Sequence, residues 1–383
     1  MGMGTTTIGK TSSLVGLDIQ ADRVVAAEVA TGRGHQLRKA AVAPLKAGLV
    51  HEGEFIDPEG IGTAIKALFR ANRLSHNVRI GIANQRVVVR SVVLPAISDQ
   101  AELDAAVRFQ ASERLPMPIE DAVLDYQIVE RLDDSGGSSK LRVVLAAAPH
   151  QVIDRVLAVA RKSGLKLQGI DISTFALIRA LNCSVSDGSN GGDGSETADG
   201  VSVAEESADG IDPSAAAHGA VVYCHLGSMT NLAVAHGPAC LFTRTLRYGI
   251  ESMAEKLAAE QQLDIEDARG WLAHVGLGRE LEAIEGDAEL VAETRSVLEA
   301  GVTQLAAVIQ ASLDYYAAQA EARQLTHTII CGPGTAIVGL RDALSTHVPG
   351  SIAPYQPRIE DAGSVTPAEL ALAYGLAVDE VVV

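Results

Sequence analysis

Two residues near the start of the chain have types and spacing suited to phosphate chemistry: Gly16 and Asp18, within Leu14-Val15-Gly16-Leu17-Asp18-Ile19-Gln20. A glycine lets the backbone approach a phosphate closely, and a carboxylate at the end of an aliphatic strand can hold a hydrated metal. An isolated Asp in a strand is more often a core residue paired with a donor, so the rest of the chain must decide. Other chemistry is sparse. Cys183, Cys224, Cys240 and Cys331 lack metal-ligand spacing and sit mostly in apolar runs, as reduced core thiols do. His225 has no partners at ligand spacing and reads as a hydrogen-bonded core or rim histidine. No H-E-x-x-H or nucleophile-elbow motif points to a hydrolase.

The elements that must position these residues belong to more than one ordinary domain, since 383 residues suit two packed lobes with accessories. Hydrophobic residues make up 47% and aromatics only 3%, so the core is built of Ala, Val, Leu and Ile. A net charge of −17 without a basic cluster excludes nucleic acid as the main partner. Between Cys183 and His218 there are eight acids and no Lys or Arg, and residues 184–218 read as a flexible acidic linker. The first residues hold no signal-like apolar region, and no apolar run approaches the ~18 residues a membrane span needs.

Along the chain the pattern predicts a hairpin over Leu14–Ala27, a third strand at Leu37–Ala43, and a helix capped by Asp57-Pro58. A strand follows at Val78–Ile82. Val87–Leu94, a helix capped by Ser98, strands Val123–Val129 and Leu141–Ala148, and helix Gln151–Ser163 then make a small α+β unit. Leu115-Pro116-Met117-Pro118 must end its first helix. Past the acidic linker the opening order returns, with strands Ala220–Gly227, Asn231–Ala235 and Cys240–Leu246 followed by a helix from Ile250. Such recurrence implies two lobes built from one repeated unit. A long Ala-rich helical stretch, strand Thr326–Cys331, the turn Gly332-Pro333-Gly334, a helix over Ile337–Thr346 and a helix capped by Thr366-Pro367 complete the chain.

Two like lobes, each opening with a glycine-bearing hairpin, resemble the actin-like (ribonuclease H-like) ATPase fold. With the inserted strand–helix–strand–strand unit, the chain is similar to the branch containing cell-division protein FtsA and the type IV pilus assembly protein PilM family. The sharper resemblance is to the PilM family. It rests on Gly16-Leu17-Asp18-Ile19, Leu94-Pro95, Val107-Arg108-Phe109-Gln110-Ala111, Leu115-Pro116-Met117-Pro118-Ile119-Glu120, Leu124-Asp125-Tyr126-Gln127, Asp171 with Phe175-Ala176, and Ala373-Tyr374-Gly375-Leu376-Ala377. It implies a first lobe at 12–86 and 165–183, an inserted domain at 87–164, and a second lobe at 219–380 with a helical subdomain about 250–325.

The resemblance also implies a role on the cytoplasmic face of the inner membrane, without direct insertion. The partner is the cytoplasmic N-terminal peptide of a PilN-like membrane protein, and pilus ATPases are further candidates. That peptide would lie extended between the first lobe and the inserted domain, and the matching residues are Val89, Val92, Leu94, Arg108, Phe109 and Glu113. Phe109 fits a core position equally well, by its helical spacing with Ala105 and Ala106.

The nucleotide positions the family implies are Gly16, Asp18, Gln20, His225, Gly227, Ser228, Gly332 and Gly334. Here the chain departs from the family. Gln20 stands where a glycine normally ends the first hairpin motif, and His225 where an Asp orients metal and water. Ala268-Arg269-Gly270-Trp271-Leu272 lacks the Glu and Lys that hold the ribose, and Pro333 withdraws an amide donor from the late glycine turn. The combined expectation is a scaffold whose ATP·Mg cleft is degenerate. The alternatives are an ATP-binding FtsA-like filament protein and an actin-fold small-molecule kinase.

Overall fold

β1 (Ser13–Ile19) and β2 (Arg23–Ala30) form the opening hairpin, closed by a turn in which Gln20 N donates to Arg23 O at 2.9 Å. Their aliphatic side chains are almost wholly buried, which is why the run carries so few polar residues. The computed structural model describes residues 13–30, 35–133, 139–186, 219–319, 322–348, 351–354 and 365–378. The acidic stretch placed at 184–218 therefore lies outside the described residues, apart from Ser184–Ser186 at the end of a helix and Cys183 just before them.

The two lobes repeat one topology. In the first, β3 (Leu37–Pro44), β2 and β1 run antiparallel, then β6 (Asn77–Ile82) and β10 (Lys166–Ile172) add in parallel. In the second, β13 (Ala239–Leu246), β12 (Thr230–His236) and β11 (Ala220–Leu226) are antiparallel, and β14 (Leu325–Cys331) and β15 (Ser351–Pro354) are parallel additions. The recurrence in the sequence is thus a recurrence of a whole five-stranded sheet. Helix α1 (Pro58–Asn72), capped by Asp57 as its sequence requires, covers the first sheet with Ile61, Ile65, Leu68 and Phe69. A short hairpin, β4 (Val50–His51) with β5 (Glu54–Phe55), precedes it; its two-residue strands are too short to leave a periodic signal.

The inserted unit is β7 (Val88–Pro95), α2 (Gln100–Arg114), β8 (Ala122–Asp133) and β9 (Ser139–Pro149), with the sheet ordered β7-β9-β8. Leu103, Val107 and Ala111 of α2 pack on Val92, Leu94, Val143 and Leu145. The cap of α2 is Asp99 rather than Ser98: its carboxylate accepts from Glu102 N at 2.9 Å. Helix α3 (His150–Ser163) leaves the inserted unit that it was expected to close. Val156, Val159 and Ala160 join the first-lobe core, and Gly62 of α1 lets the Lys162 backbone come close.

In the second lobe α5 (Ile250–Gln261), α6 (Ile265–Val275) and α7 (Ala288–Ala317) share one core with the sheet, and α8 (Leu340–Ser345) is shorter than the sequence predicts. Helix α7 is long and apolar enough to cross a membrane by length and composition, contrary to the expectation from apolar runs. Alanine, glycine and threonine dilute its leucines, so it gives no single apolar block. Leu298, Leu305, Ile309 and Leu313 place it in the lobe core.

Between the sheets lie α4 (Ser173–Ser186) and α9 (Pro367–Ala377). Helix α4 follows a first-lobe strand yet packs on the second sheet, through Leu177 and Ile178 against Val221 and Tyr223. Helix α9 sends Ala373 and Ala377 to β2 of the first lobe, and Ala371 and Leu372 to the second. It is apolar all round, as a helix covered on every side must be. Its assignment to the second lobe alone is therefore corrected: the last helix is a layer common to both lobes.

Candidate functional site

The tips of the β1–β2 and β11–β12 hairpins meet at the centre of the molecule. The Gln20 carboxamide lies between them: Nε2 donates to Asp18 Oδ2 at 2.7 Å, and Oε1 accepts from the Ser228 backbone N–H at 3.3 Å. Ala21 N donates to Ser228 Oγ, also at 3.3 Å. A Cβ on Gly227 would stand 2.6 Å from Gln20 Oε1, so that glycine accommodates the glutamine. The tips are joined side chain to backbone.

Asp18 is 3% exposed, and burial pushes its carboxyl up from 3.8 to about 6 against the opposing hydrogen bond from Gln20. His225, 1% exposed, is pushed down from 6.5 to about 4 by the same cause, so the ring is neutral at pH 7. The expectation of a hydrogen-bonded histidine is corrected: neither ring nitrogen has a hydrogen-bond partner among the described residues. The ring is wedged between Gly227 and Gly332, where added Cβ atoms would come within 3.0 Å and 2.9 Å of it.

Gly332, at φ +94°, takes a conformation that glycine favours, and its N–H donates to Ala368 O at 3.0 Å. A Cβ on Gly334 would sit 2.8 Å from Leu226 Cβ. Gly16, read first as a phosphate-approach glycine, meets helix α9 instead: a Cβ there would lie 1.9 Å from Ala373 O. Arg269 makes a two-point ion pair with Glu251, Nε to Oε2 at 2.9 Å, while Ala268 and Leu272 are core residues. The eight cleft residues thus fall on the two hairpins and on the turn after β14, with Gly16 set back against α9.

No cluster of metal-ligating side chains exists among the described residues. Burial holds the Cys224 and Cys240 thiols at about 12 and pushes Cys331 up too, so none offers a thiolate.

Two grooves flank the inserted sheet. A cavity of about 470 Å³ separates it from the first lobe, lined by consecutive residues of β8 (Asp125, Tyr126, Gln127) and of β10 (Ile170, Asp171, Ile172). Both strands are sheet edges. Val123, Ala146, Ile153 and Phe175 make the walls mostly apolar, and Asp171 is held by a buried ion pair with Arg179. The six groove residues named from sequence are not brought together there. Val92 and Leu94 are core residues of the inserted unit, and Arg108, Phe109 and Glu113 stand on the exposed face of α2. Phe109 is 60% exposed and is neither core nor groove. Val89 lines a second cavity, of about 520 Å³, between β7 and β13. Asp125-Tyr126-Gln127, Asp171 and Phe175, quoted above for the resemblance, line the β8–β10 groove, and the sheet orders, with both strands outermost, show why they meet.

The family model described as type IV pilus assembly protein PilM matches residues 16–225. Among solved structures, the chain is similar to one titled PilM-PilN type IV pilus biogenesis complex, with 22% identity and a TM-score of 0.74 over 96% of this chain and 98% of that one. It is also similar to the ethanolamine utilization protein EutJ from Carboxydothermus hydrogenoformans, with 14% identity and a TM-score of 0.50 over 96% and 89%. At these identities the likeness establishes the fold, which is two-lobed, α/β and actin-like.

Proposed function

The chain belongs to the type IV pilus assembly protein PilM family, and from that premise we propose that it is a docking scaffold that binds a PilN-like membrane protein without hydrolysing nucleotide. The observation that carries this reading is the groove between β8 and β10. Two sheet edges flank an apolar channel, so an extended segment can add main-chain hydrogen bonds while an apolar side chain enters the wall around Val123 and Phe175. A partner anchored in the inner membrane would hold the scaffold at that membrane's cytoplasmic face.

The hairpin tips support the non-hydrolysing half of the proposal. A nucleotide's phosphates need free amides and open space between such turns. Here Gln20 takes the Ser228 amide, and the neutral His225 cannot serve as the acid that orients a metal. The residues present do not fit ATP·Mg, and no phosphoryl-transfer step is derived for them. A kinase would need a carboxylate free to activate its acceptor, whereas Asp18 is buried and accepts from Gln20 Nε2.

Calorimetry tests both halves. A synthetic peptide covering the cytoplasmic N-terminus of the PilN-like protein encoded beside this chain is expected to bind, and Val123→Arg, at a surface position, to abolish that binding. Unchanged affinity in the folded variant would overturn the groove assignment. Saturable ATP·Mg²⁺ binding with turnover would overturn the degenerate cleft.

A further inference from the structure

The inserted sheet has a second free edge. Among the described residues β7 exchanges ladder hydrogen bonds with β9 alone, and β13 with β12 alone, so each presents an outer row of backbone N–H and C=O groups. Both strands border the cavity of about 520 Å³. Its lining includes consecutive residues of both strands, Val89–Val93 and Cys240–Thr243, as expected where a cavity runs along strand edges rather than over one face.

The charge of this groove is opposite to that of the chain. Among the described residues its charged lining is Arg90, Arg114 and Arg142, with no carboxylate, in a protein of net charge −17. Arg142 is committed to Glu130 at 3.0 Å. Arg90 and Arg114 are exposed and have no carboxylate partner among the described residues. Tyr315, 57% exposed, stands beside Phe242 with ring centroids 6.0 Å apart and gives the groove an apolar bank.

We propose that the β7–β13 groove is a second docking site, which takes an extended acidic peptide from a partner protein. The peptide adds as a strand along an open edge, its carboxylates pair with Arg90 and Arg114, and an apolar side chain rests on Tyr315 and Phe242. Charge complementarity selects this occupant: an acidic segment finds two unpaired guanidiniums, and a basic one meets them with like charge. The proposal is independent of the β8–β10 groove, because the two cavities lie on different edges of the inserted sheet.

Fluorescence anisotropy with a labelled decapeptide of alternating Glu and Val tests it at 0.15 M salt. The full chain is expected to bind it, and the Lys–Val counterpart not to bind. The R90E R114E variant alters only exposed side chains and is expected to weaken the Glu–Val peptide at least tenfold. N-methylation of alternate backbone amides, which leaves every side chain in place, is expected to weaken it likewise. Val123→Arg, in the other groove, is expected to leave it unchanged. Equal binding of both peptides, or indifference to the double variant or to N-methylation, overturns the proposal. Binding that emerges only after residues 187–218 are deleted would assign the groove to that acidic stretch and overturn it too. So would a dimer that R90E R114E dissolves, since the occupant would then be a second copy.

Discussion

Gln20 and Ser228 lie 208 residues apart in sequence, yet the Gln20 carboxamide oxygen accepts the Ser228 backbone N–H at 3.3 Å. The contact ties one lobe's opening hairpin to the other's at the place where an actin-like fold admits phosphates. The same side chain donates to the buried Asp18, so one residue both joins the lobes and satisfies a carboxylate.

Removing it should be felt. Gln20→Ala strips Asp18 of its one side-chain donor among the described residues and the Ser228 amide of its acceptor, and is expected to lower stability by about 2 kcal/mol. Urea unfolding at pH 7 measures this, and an unchanged midpoint would show that the contact contributes nothing.

Gly16 gives a sterically sharper case. A Cβ there would meet a backbone carbonyl, Ala373 O, at 1.9 Å, which a rotamer change cannot relieve. Gly16→Ala is expected to cost about 3 kcal/mol. Gly270→Ala, in a helix where an added Cβ meets nothing within 4 Å, should instead be neutral or stabilise by up to about 1 kcal/mol. Thermal melts of the two variants make the comparison.

The buried acid and the buried base of the cleft oppose each other with pH. Asp18 has a raised folded value, so its contribution is complete below pH 3.8 and is lost as pH rises through about 6. His225 has a lowered one, so its contribution is complete above pH 6.5 and is lost as pH falls through about 4. Each amounts to something on the order of 3 kcal/mol, so the two slopes largely cancel in the native chain. Asp18→Asn should make stability fall on acidification from pH 6.5 to 4. His225→Leu should make it fall from pH 4 to 6. Parallel slopes in the two variants would contradict the assignment.

Helix α2 provides a fourth contrast. Under the β8–β10 docking model Phe109→Ser, on the exposed face of α2, should leave PilN-like peptide affinity within about twofold. Val123→Arg should reduce it beyond tenfold, through a buried unpaired charge. A surface-plasmon titration showing the reverse order would restore the α2 face as the binding surface.

Much of the fold was legible in the residues. Asp57-Pro58 and Thr366-Pro367 state their helix starts, and the aliphatic hairpins announce both sheets. What escaped depended on long-range placement. Helix α9 is apolar on all sides, so no stripe indicates which lobe it serves, and Gly16 cannot reveal from its own neighbours that Ala373 is what it meets. The resemblance placed a groove between the first lobe and the inserted domain, but not the strands that line it: an edge strand and a central strand share the same alternation, and only the sheet order tells them apart. Gln20 was legible as a departure from a phosphate turn, but its bond to Ser228 was not.

The position of α9 bears on how the protein is made. The face of β1 and β2 is covered by a helix that starts at Pro367, far along the chain, held at one end by Arg23–Glu369 and at the other by Arg79 to the Leu376 and Val378 carbonyls. Domains usually complete themselves from the N-terminus as synthesis proceeds. Here one aliphatic face of the first-lobe sheet stays open until α9 has been made. A stop codon just before α9 would therefore leave the first lobe, and not merely the second, with an uncovered sheet face.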